Sequence, residues 1–183
     1  MQKKINQAVN ALREGGIISY PTEGVFGLGC DPFNETAVKR LLKIKGRKVE
    51  KGLLLIASSW NQAKGLIKTK SSLRVVDEVS QSKSPITWVF STTKKTPCWI
   101  CGKFDTVAIR VTKHPIAKEL CQKFGGPIVS TSANLVGKAP AKNTKQVREQ
   151  FSAIIDFTVS GRVGALKKTT QIRDANTNKV IRK

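Results

Sequence analysis

Hydrophobic residues recur every three or four positions in several stretches of the chain. Such spacing places them on one face of a helix that packs against a core, as at Ile5, Ala8, Val9 and Leu12. Glycines and capping residues mark the ends of these stretches. The pattern predicts a first helix that ends at Gly15 and Gly16. It predicts a second helix that is capped by Asn34, carries Val38, Leu41 and Leu42 on one face and ends at Gly46. Further helices are predicted over 115–124 and 144–151, and two weaker ones over 59–67 and 72–79.

Short apolar runs between the helices predict β-strands. The run from Leu53 to Ile56 has no polar residue, as expected for a strand that is buried on both faces. After the first strand, Pro21 and three glycines predict a loop that folds closely against a ligand or a neighbouring element. The other strands are predicted at 17–20, 86–90, 107–111, 127–130, 154–159, 170–173 and 179–182. This alternation, without repeats or linkers, predicts a single α/β domain over residues 1–183 with a twisted mixed β-sheet flanked by helices.

The chain is strongly basic. It contains 33 Lys and Arg against 12 Asp and Glu, a formal net charge of +21, and the surplus is spread along its whole length. The densest segment, residues 39–51, holds seven basic residues and a single acidic one, Glu50. The charge favours an anionic substrate or a polyanionic partner, although a solvated helix face also explains this segment.

Neither a membrane span nor a secretory signal is predicted. The longest apolar run, residues 53–57, is far shorter than the roughly 20 residues of a membrane-spanning helix. At the N-terminus, Asn6, Gln7 and Asn10 interrupt the chain before an apolar signal segment can form. We therefore expect a cytoplasmic protein that has no membrane partner.

The cysteines and the histidine offer little recognisable chemistry. Cys98 and Cys101 have the spacing of half a zinc site or of a redox pair, but no second pair of ligands is present. We expect no metal site in the protein and reduced thiols at all four cysteines. The single histidine, His114, stands at a predicted helix start without a Ser or Cys partner, and we expect a cap or a surface residue.

Three sets of residues suit the binding of an anion. Lys45 and Arg47 lie two positions apart, so in an extended segment both side chains point the same way towards one phosphate or carboxylate. Two cations that stabilise a helix C-terminus are the alternative. Residues 130–134, Ser-Thr-Ser-Ala-Asn, follow a buried strand at the edge where α/β sheets bind ligands, although an ordinary polar turn has the same composition. Arg110 is a charge within an apolar strand, which faces either a cleft or solvent.

Several ordered motifs resemble those of one family. They are residues 20–29 (Tyr-Pro-Thr-Glu-Gly-Val-Phe-Gly-Leu-Gly), 45–47 (Lys-Gly-Arg), 130–134, 107–115, 172–174 and 180–182. Together they resemble the YrdC-like threonylcarbamoyl-AMP synthases over nearly the whole chain, in their short, single-domain form. The resemblance implies a YrdC-like twisted mixed sheet flanked by helices, with a basic concave cleft. Residues 82–85, Ser-Lys-Ser-Pro, depart from the Trp-Pro-Gly-Pro that is common in the family.

The resemblance implies a nucleotidyltransferase that acts in tRNA processing. Such an enzyme condenses L-threonine, bicarbonate and ATP into threonylcarbamoyl-AMP and pyrophosphate, with Mg²⁺ bound to the phosphates, and a separate tRNA threonylcarbamoyl transferase complex uses the product. The residues that the resemblance implies to hold ATP phosphates and the intermediate are Lys45, Arg47, Ser132 and Asn134. Thr22 and Arg110 are implied to bind threonine. Further substrate contacts are implied at Thr106, Ser130, Thr170 and Arg182.

Two other functions remain open at this point. A non-catalytic basic module that binds tRNA or rRNA would explain the charge, although only 6% of the residues are aromatic and RNA recognition relies on stacking of bases. Non-specific RNA binding is also compatible with the enzyme. A carbamoyl-transfer maturation domain has a similar fold, but it occurs within much larger chains.

Overall fold

Five α-helices, two short 3-10 helices and ten strands are formed by the part of the chain that the structure describes. This computed structural model describes residues 1–68, 85–166 and 170–182. The α-helices are α1 (Gln2–Arg13), α2 (Glu35–Ile44), α3 (Cys98–Cys101), α4 (Pro115–Phe124) and α5 (Thr144–Phe151). The strands are β1 (Ile18–Pro21), β2 (Phe26–Gly29), β3 (Leu54–Ala57), β4 (Ile86–Ser91), β5 (Thr106–Val111), β6 (Ile128–Val129), β7 (Thr131–Ser132), β8 (Phe157–Thr158), β9 (Gln171–Asp174) and β10 (Val180–Arg182).

The stronger helix predictions are confirmed. The buried face of α1 consists of the predicted residues Ile5, Ala8, Val9 and Leu12. Asn34 caps α2, because its side-chain oxygen accepts a hydrogen bond from the backbone N–H of Ala37 at 3.0 Å. Gly125 ends α4 in the left-handed conformation, with φ +89°. Local sequence signals therefore fix the ends of these helices.

Replacement of Asn34 by alanine is expected to lower the free energy of unfolding by about 1 kcal/mol, because the first turn of α2 loses its acceptor. Urea unfolding followed by circular dichroism measures the difference. Asn10→Ala is the matched control, since Asn10 is an exposed residue within α1, where alanine favours the helix. Equal losses in the two variants would contradict the capping role.

The strands are divided between two mixed sheets. The four-stranded sheet has the order β7-β2-β1-β8, and the six-stranded sheet has the order β10-β9-β4-β5-β3-β6. In the first, β1 is antiparallel to β2 and parallel to β8. In the second, β5 is parallel to β3 and antiparallel to β4. The α/β class and the mixed pairing are confirmed, but two sheets form where the sequence predicts one.

The glycine-rich segment after Pro21 forms a strand where a loop is predicted. Strand β2 pairs with β1 in a hairpin whose register joins Ile18 to Gly29 and Pro21 to Phe26. A Cβ atom at Gly29 would lie 2.4 Å from the carbonyl oxygen of Val129, so only glycine fits there. The close approach of a neighbouring element is thus confirmed, whereas the loop is wrong.

The chain passes from one sheet to the other at Ser130. Strand β6 pairs with β3 in the six-stranded sheet, and β7 pairs with β2 in the four-stranded sheet. Ser130 alone separates the two strands, and its backbone N–H donates to the carbonyl oxygen of Leu54 at 2.8 Å. Residues 130–134 therefore include both the residue that joins the two sheets and strand β7, and they are not an isolated polar turn.

Of the weaker predictions, one is wrong, one lies outside the described residues and one is confirmed only in part. The helix predicted over 59–67 is wrong, because that segment contains only the 3-10 helix Trp60–Gln62. The helix predicted over 72–79 lies outside the described residues, as do residues 82–84 of the segment that departs from the family pattern. Near 154–159 only Phe157–Thr158 is a strand.

Two apolar clusters support the sheets. One includes Trp88 and Phe90 of β4 with the apolar face of α2, and the other lies between α1, α4 and residues such as Tyr20. Cys121 belongs to the second cluster, and burial raises the pKa of its thiol to about 12, so it remains protonated. None of the helices in the described ranges is long and apolar enough to cross a membrane.

Candidate active site

A cleft of about 1190 Å³ lies between the two sheets. One wall is formed by the segment after β1 and by β7, and the other by residues of β3, β4, β5, β9 and β10. Most of the predicted site residues line this cleft: Thr22, Arg47, Thr106, Arg110, Ser130, Ser132, Thr170 and Arg182. Lys45 and Asn134 are not among the lining residues.

The charged residues of the lining are mainly basic. They are Arg47, Lys51, Arg110, Lys142 and Arg182, together with a single acid among the described residues, Glu23. Clustered cations in a concave site raise the local concentration of anions. The cleft therefore suits a ligand that carries phosphate or carboxylate groups.

Lys45 holds the segment after β7. Its Nζ donates to the carbonyl oxygen of Ser132 at 2.8 Å, to Oδ1 of Asn134 at 3.0 Å, and to the carbonyl oxygen of Asn134. The hydroxyl of Ser132 donates to the same Oδ1 at 2.6 Å. Burial, and then the nearby charge of Arg47, lower the pKa of Lys45 to about 8. Three of the four residues that were implied to hold phosphates thus form one hydrogen-bonded cluster.

Arg47 contacts different partners from Lys45. Gly46, between them, has a φ of +52°, so the extended conformation predicted for this segment is wrong. The guanidinium of Arg47 donates to the carbonyl oxygens of Gly52 at 2.8 Å and of Lys51 at 3.3 Å. Burial lowers the pKa of Arg47, but an arginine remains charged. Arg47 is therefore the cation of this motif that faces the cleft.

Arg110 belongs to a buried polar network. Its NH2 group lies 3.5 Å from Oε2 of Glu23, and the two side chains are 11% and 10% exposed. Its NH1 group donates to the hydroxyl of Thr170 at 3.2 Å, and that hydroxyl lies 3.0 Å from the hydroxyl of Thr87. The sequence leaves two orientations of Arg110 open, towards a cleft or towards solvent, and the structure places Arg110 in the cleft.

Sequence reasoning missed Glu23. Its Oε1 accepts hydrogen bonds from the hydroxyl of Thr112 at 2.7 Å and from the backbone N–H of Lys113 at 3.0 Å. Burial alone would raise the pKa of Glu23, but the charge of Arg110 and these donors outweigh it, so the pKa lies below its ordinary value. The available signal was an isolated acidic residue within the glycine-rich motif of a basic chain.

The other predicted residues complete the lining. The hydroxyl of Thr22 donates to the carbonyl oxygen of Val25 at 2.7 Å, which closes the turn before β2. Arg182 reaches the carbonyl oxygen of Thr170 at 3.5 Å. Thr106 begins β5, and Ser130 connects the two sheets. Thr22, Ser130 and Thr170 each expose less than a tenth of their surface.

His114 is not among the residues that line the cleft, and of the four cysteines Cys101 lines it. His114 is buried, its Nε2 lies 3.0 Å from the carbonyl oxygen of Arg162, and its side chain makes no capping hydrogen bond to α4. His114 therefore occupies the predicted cap position at the start of α4, although its side chain does not cap the helix, and the alternative surface position is wrong. Within the described ranges, no three His, Cys, Asp or Glu side chains are grouped in a way that could hold a metal ion.

Comparison with known proteins assigns the family. The Sua5/YciO/YrdC family model, whose description is "Telomere recombination", matches residues 10–183. The chain belongs to the Sua5/YciO/YrdC family. This chain is 49% identical to a threonylcarbamoyl-AMP synthase of Coxiella burnetii (strain RSA 331 / Henzerling II), and the alignment covers 98% of this chain and 97% of that synthase. The threonylcarbamoyl-AMP synthase of Cellvibrio japonicus (strain Ueda107) is 44% identical, over 100% and 96% respectively.

Solved structures of the Sua5/YciO/YrdC family have the same fold. Sua5 of P. abyssi, solved in complex with L-threonine, superposes with a TM-score of 0.87 at 31% identity, over 95% of this chain and 51% of that protein. YciO of E. coli superposes with a TM-score of 0.84 at 26% identity, over 100% of this chain and 90% of that protein. The YrdC-like fold that the sequence motifs imply is confirmed.

Proposed function

We propose that this chain is an L-threonylcarbamoyladenylate synthase, a nucleotidyltransferase that condenses L-threonine, bicarbonate and ATP and releases pyrophosphate. The observation that carries the proposal is that motif residues far apart in the sequence, at Thr22, Arg47, Arg110 and Ser132, line one cleft. Relatives of nearly equal length that are named for this reaction support it.

The side of the cleft formed by Arg47 and Ser132 suits the phosphates of ATP. In the proposed sequence, the amine of threonine first forms an N–C bond with the carbon of bicarbonate, and water leaves, which gives N-carboxythreonine. Its carboxylate then attacks the α-phosphorus; a new P–O bond forms, and the bond to the leaving pyrophosphate breaks. Fixed cations and hydroxyl groups stabilise the charge that develops on the phosphoryl oxygens, so no protein nucleophile is required. Lys45 and Asn134 contribute by holding Ser132 in place.

The side formed by Arg110 and Thr22 suits the amino acid. The guanidinium of Arg110 offers N–H donors to a carboxylate, while Thr22 and Thr170 supply hydroxyl groups at the same wall. Thr106, Ser130 and Arg182 are proposed to complete the contacts to the substrates.

Mg²⁺ is proposed to enter with ATP, bound to its phosphate oxygens and to water. The donor set of the lining fits this role, because cations and hydroxyl groups surround the space and the carboxylate of Glu23 is already engaged by Arg110, Thr112 and Lys113. Mg²⁺ commonly binds through substrate phosphates with few protein ligands.

The product is proposed to serve the threonylcarbamoyladenosine modification of tRNA. A separate tRNA threonylcarbamoyl transferase complex would consume it, in the cytoplasm. The net charge of +21 also favours contact with RNA. RNA binding without chemistry is the second candidate function, and the same experiments distinguish the two.

Release of labelled pyrophosphate from ATP tests the proposed function. Purified protein with Mg²⁺ is expected to release pyrophosphate only when both L-threonine and bicarbonate are present. Release of pyrophosphate that does not depend on threonine would contradict the proposal, and so would the absence of release under all of these conditions. Ser132→Ala is expected to abolish adenylate formation, whereas a basic RNA-binding surface would hardly be affected by the loss of one hydroxyl group.

The affinity for ATP is expected to fall as the pH rises above about 8, because Lys45 then loses the proton that holds the segment after β7. Well below that pH the ammonium is intact. Titration by calorimetry with ATP in excess Mg²⁺, at about pH 7 and about pH 9.5, measures the change, since bound Mg²⁺ keeps the terminal phosphate ionised at both values. In Lys45→Arg the charge persists at both pH values, and an equal fall there would contradict the assignment.

A further inference from the structure

The two residues proposed to bind threonine belong to different sheets. Thr22 follows β1 of the four-stranded sheet, whereas Arg110 lies in β5 of the six-stranded sheet. Glu23 connects them, because it is the chain neighbour of Thr22 and its carboxylate reaches Arg110 and the residues that follow β5. The relative position of the two threonine-binding groups therefore depends on Glu23.

The carboxylate of Glu23 is held firmly at one oxygen and faces Arg110 with the other. Oε1 accepts the bonds from Thr112 and Lys113. Oε2 has no hydrogen-bond partner among the described residues and lies 3.5 Å from NH2 of Arg110. Nε of Arg110 has no partner there either. The attraction between the two groups is thus mainly that of opposite charges in a poorly solvated place.

The backbone of Glu23 is fixed from the opposite side. The carbonyl oxygen of Thr22 accepts from the N–H of Gly164 at 2.9 Å, and that of Glu23 accepts from the N–H of Leu166 at 2.9 Å. A Cβ atom at Gly164 would lie 2.6 Å from the carbonyl oxygen of Glu23. With both its backbone and its carboxylate held, Glu23 presents its charge to Arg110 at a fixed place.

The sign of this charge matters in a basic cleft. ATP and pyrophosphate are attracted to every cation of the lining, including Arg110, whereas threonine is a zwitterion of zero net charge. The carboxylate of Glu23 offsets the charge of Arg110 itself while leaving guanidinium N–H groups available as donors. A polyphosphate is then attracted less strongly to Arg110 than to Arg47, which has no carboxylate within ion-pair distance among the described residues.

We propose that Glu23 is a positioning and specificity-determining residue: it fixes the guanidinium of Arg110 and offsets its charge, so that an amino acid binds at Arg110 in preference to a phosphate. The inference rests on the proposed function. Glu23 itself need not touch the substrate, because it acts through Arg110.

The test is Glu23→Gln, which keeps the shape of the side chain and removes its charge. The KM for threonine is expected to rise by about 10-fold or more, the Kd for ATP to change by less than about twofold, and pyrophosphate to become a competitive inhibitor against threonine. An unchanged KM for threonine would overturn the inference, as would equal losses of threonine and ATP binding. The wild-type protein is measured in parallel, and if it lacks threonine-dependent release the proposed function fails as well.

Two further variants separate positioning from folding. Asp156→Asn removes a carboxylate that pairs with Arg40 outside the cleft, and the KM for threonine should stay within about twofold of the wild-type value. Thr112→Val removes the hydroxyl that donates to Glu23 and accepts from the backbone N–H of His114, without changing a lining residue, and the KM for threonine should rise about threefold. If Glu23→Gln does not fold, by circular dichroism, an unchanged KM in Thr112→Val overturns the inference.

Discussion

Replacement of Arg110 by glutamine is expected to reduce kcat/KM for threonine by about 100- to 1000-fold, or about 3–4 kcal/mol. The substrate carboxylate loses its charged partner, and Glu23 is left as an unpaired buried charge. The affinity for ATP should change little, because the phosphates of ATP are proposed to bind at Arg47 and Ser132, which this substitution leaves unchanged. Threonine-dependent release of pyrophosphate and calorimetric titration with ATP measure the two effects.

Two arginine variants serve as controls for Arg110→Gln. Arg110→Lys keeps the charge but loses the forked geometry, so only partial activity is expected. Arg40→Gln removes an exposed arginine that pairs with Asp156, and kcat/KM for threonine should remain close to wild type. A loss of ATP affinity as large as the loss of threonine affinity would show that Arg110 does not distinguish the two substrates.

Replacement of Lys45 by methionine is expected to reduce synthase activity by about 100-fold or more, because Ser132 and Asn134 lose the ammonium that holds them. Two backbone carbonyl groups and one side-chain oxygen each lose one donor, and the free energy of unfolding should fall by about 1–3 kcal/mol. Pyrophosphate release and urea unfolding measure these two quantities.

Lys43→Met is the matched control for Lys45→Met. Lys43 is an exposed lysine in the last turn of α2, and Lys45 is the residue that directly follows this helix. Its replacement removes the same charge two residues away and should leave activity within about twofold, since exposed charges contribute little. Comparable losses in the two variants would mean that Lys45 acts only through the overall charge of the protein.

The helices were predictable because their signals are local. The spacing of Ile5 and Leu12 and the cap at Asn34 depend on residues within one or two turns, and tertiary contacts agree with them. The helix predicted over 59–67 begins at Ser59, whose side chain makes no capping hydrogen bond, and the structure has only the 3-10 helix Trp60–Gln62 there. Apolar spacing and a residue of the capping type were therefore not enough.

Strand β2 and the division into two sheets were not predictable from the chain alone. Gly27 and Gly29 weaken the strand signal, yet Gly29 is needed because Tyr20 packs against it: a Cβ atom there would lie 2.9 Å from the ring. That requirement comes from residues on another strand. Which sheet a strand joins is likewise decided by pairing between distant segments.

The motifs located the site, but they did not reveal how its residues are arranged. Arg110 was identified as an odd charge in an apolar strand, and the structure places it in the cleft. Lys45 was expected to point the same way as Arg47, but the left-handed Gly46 separates them. Glu23 was missed because its partners, Arg110 and Thr112, are distant in sequence. The resemblance therefore names eight residues of the lining, whereas the contacts that each of them makes are known only from the structure.

The passage between the sheets at Ser130 restricts how the chain can vary in length. Strands β6 and β7 are each held in register by a different sheet, and a single residue joins them. A one-residue insertion here would have to slip one register, which would turn the buried Val129 or the cleft-lining Ser132 to the opposite face. Homologous chains should accordingly tolerate length changes at the exposed ends of helices, while the segment between Ile128 and Ser132 keeps a constant length.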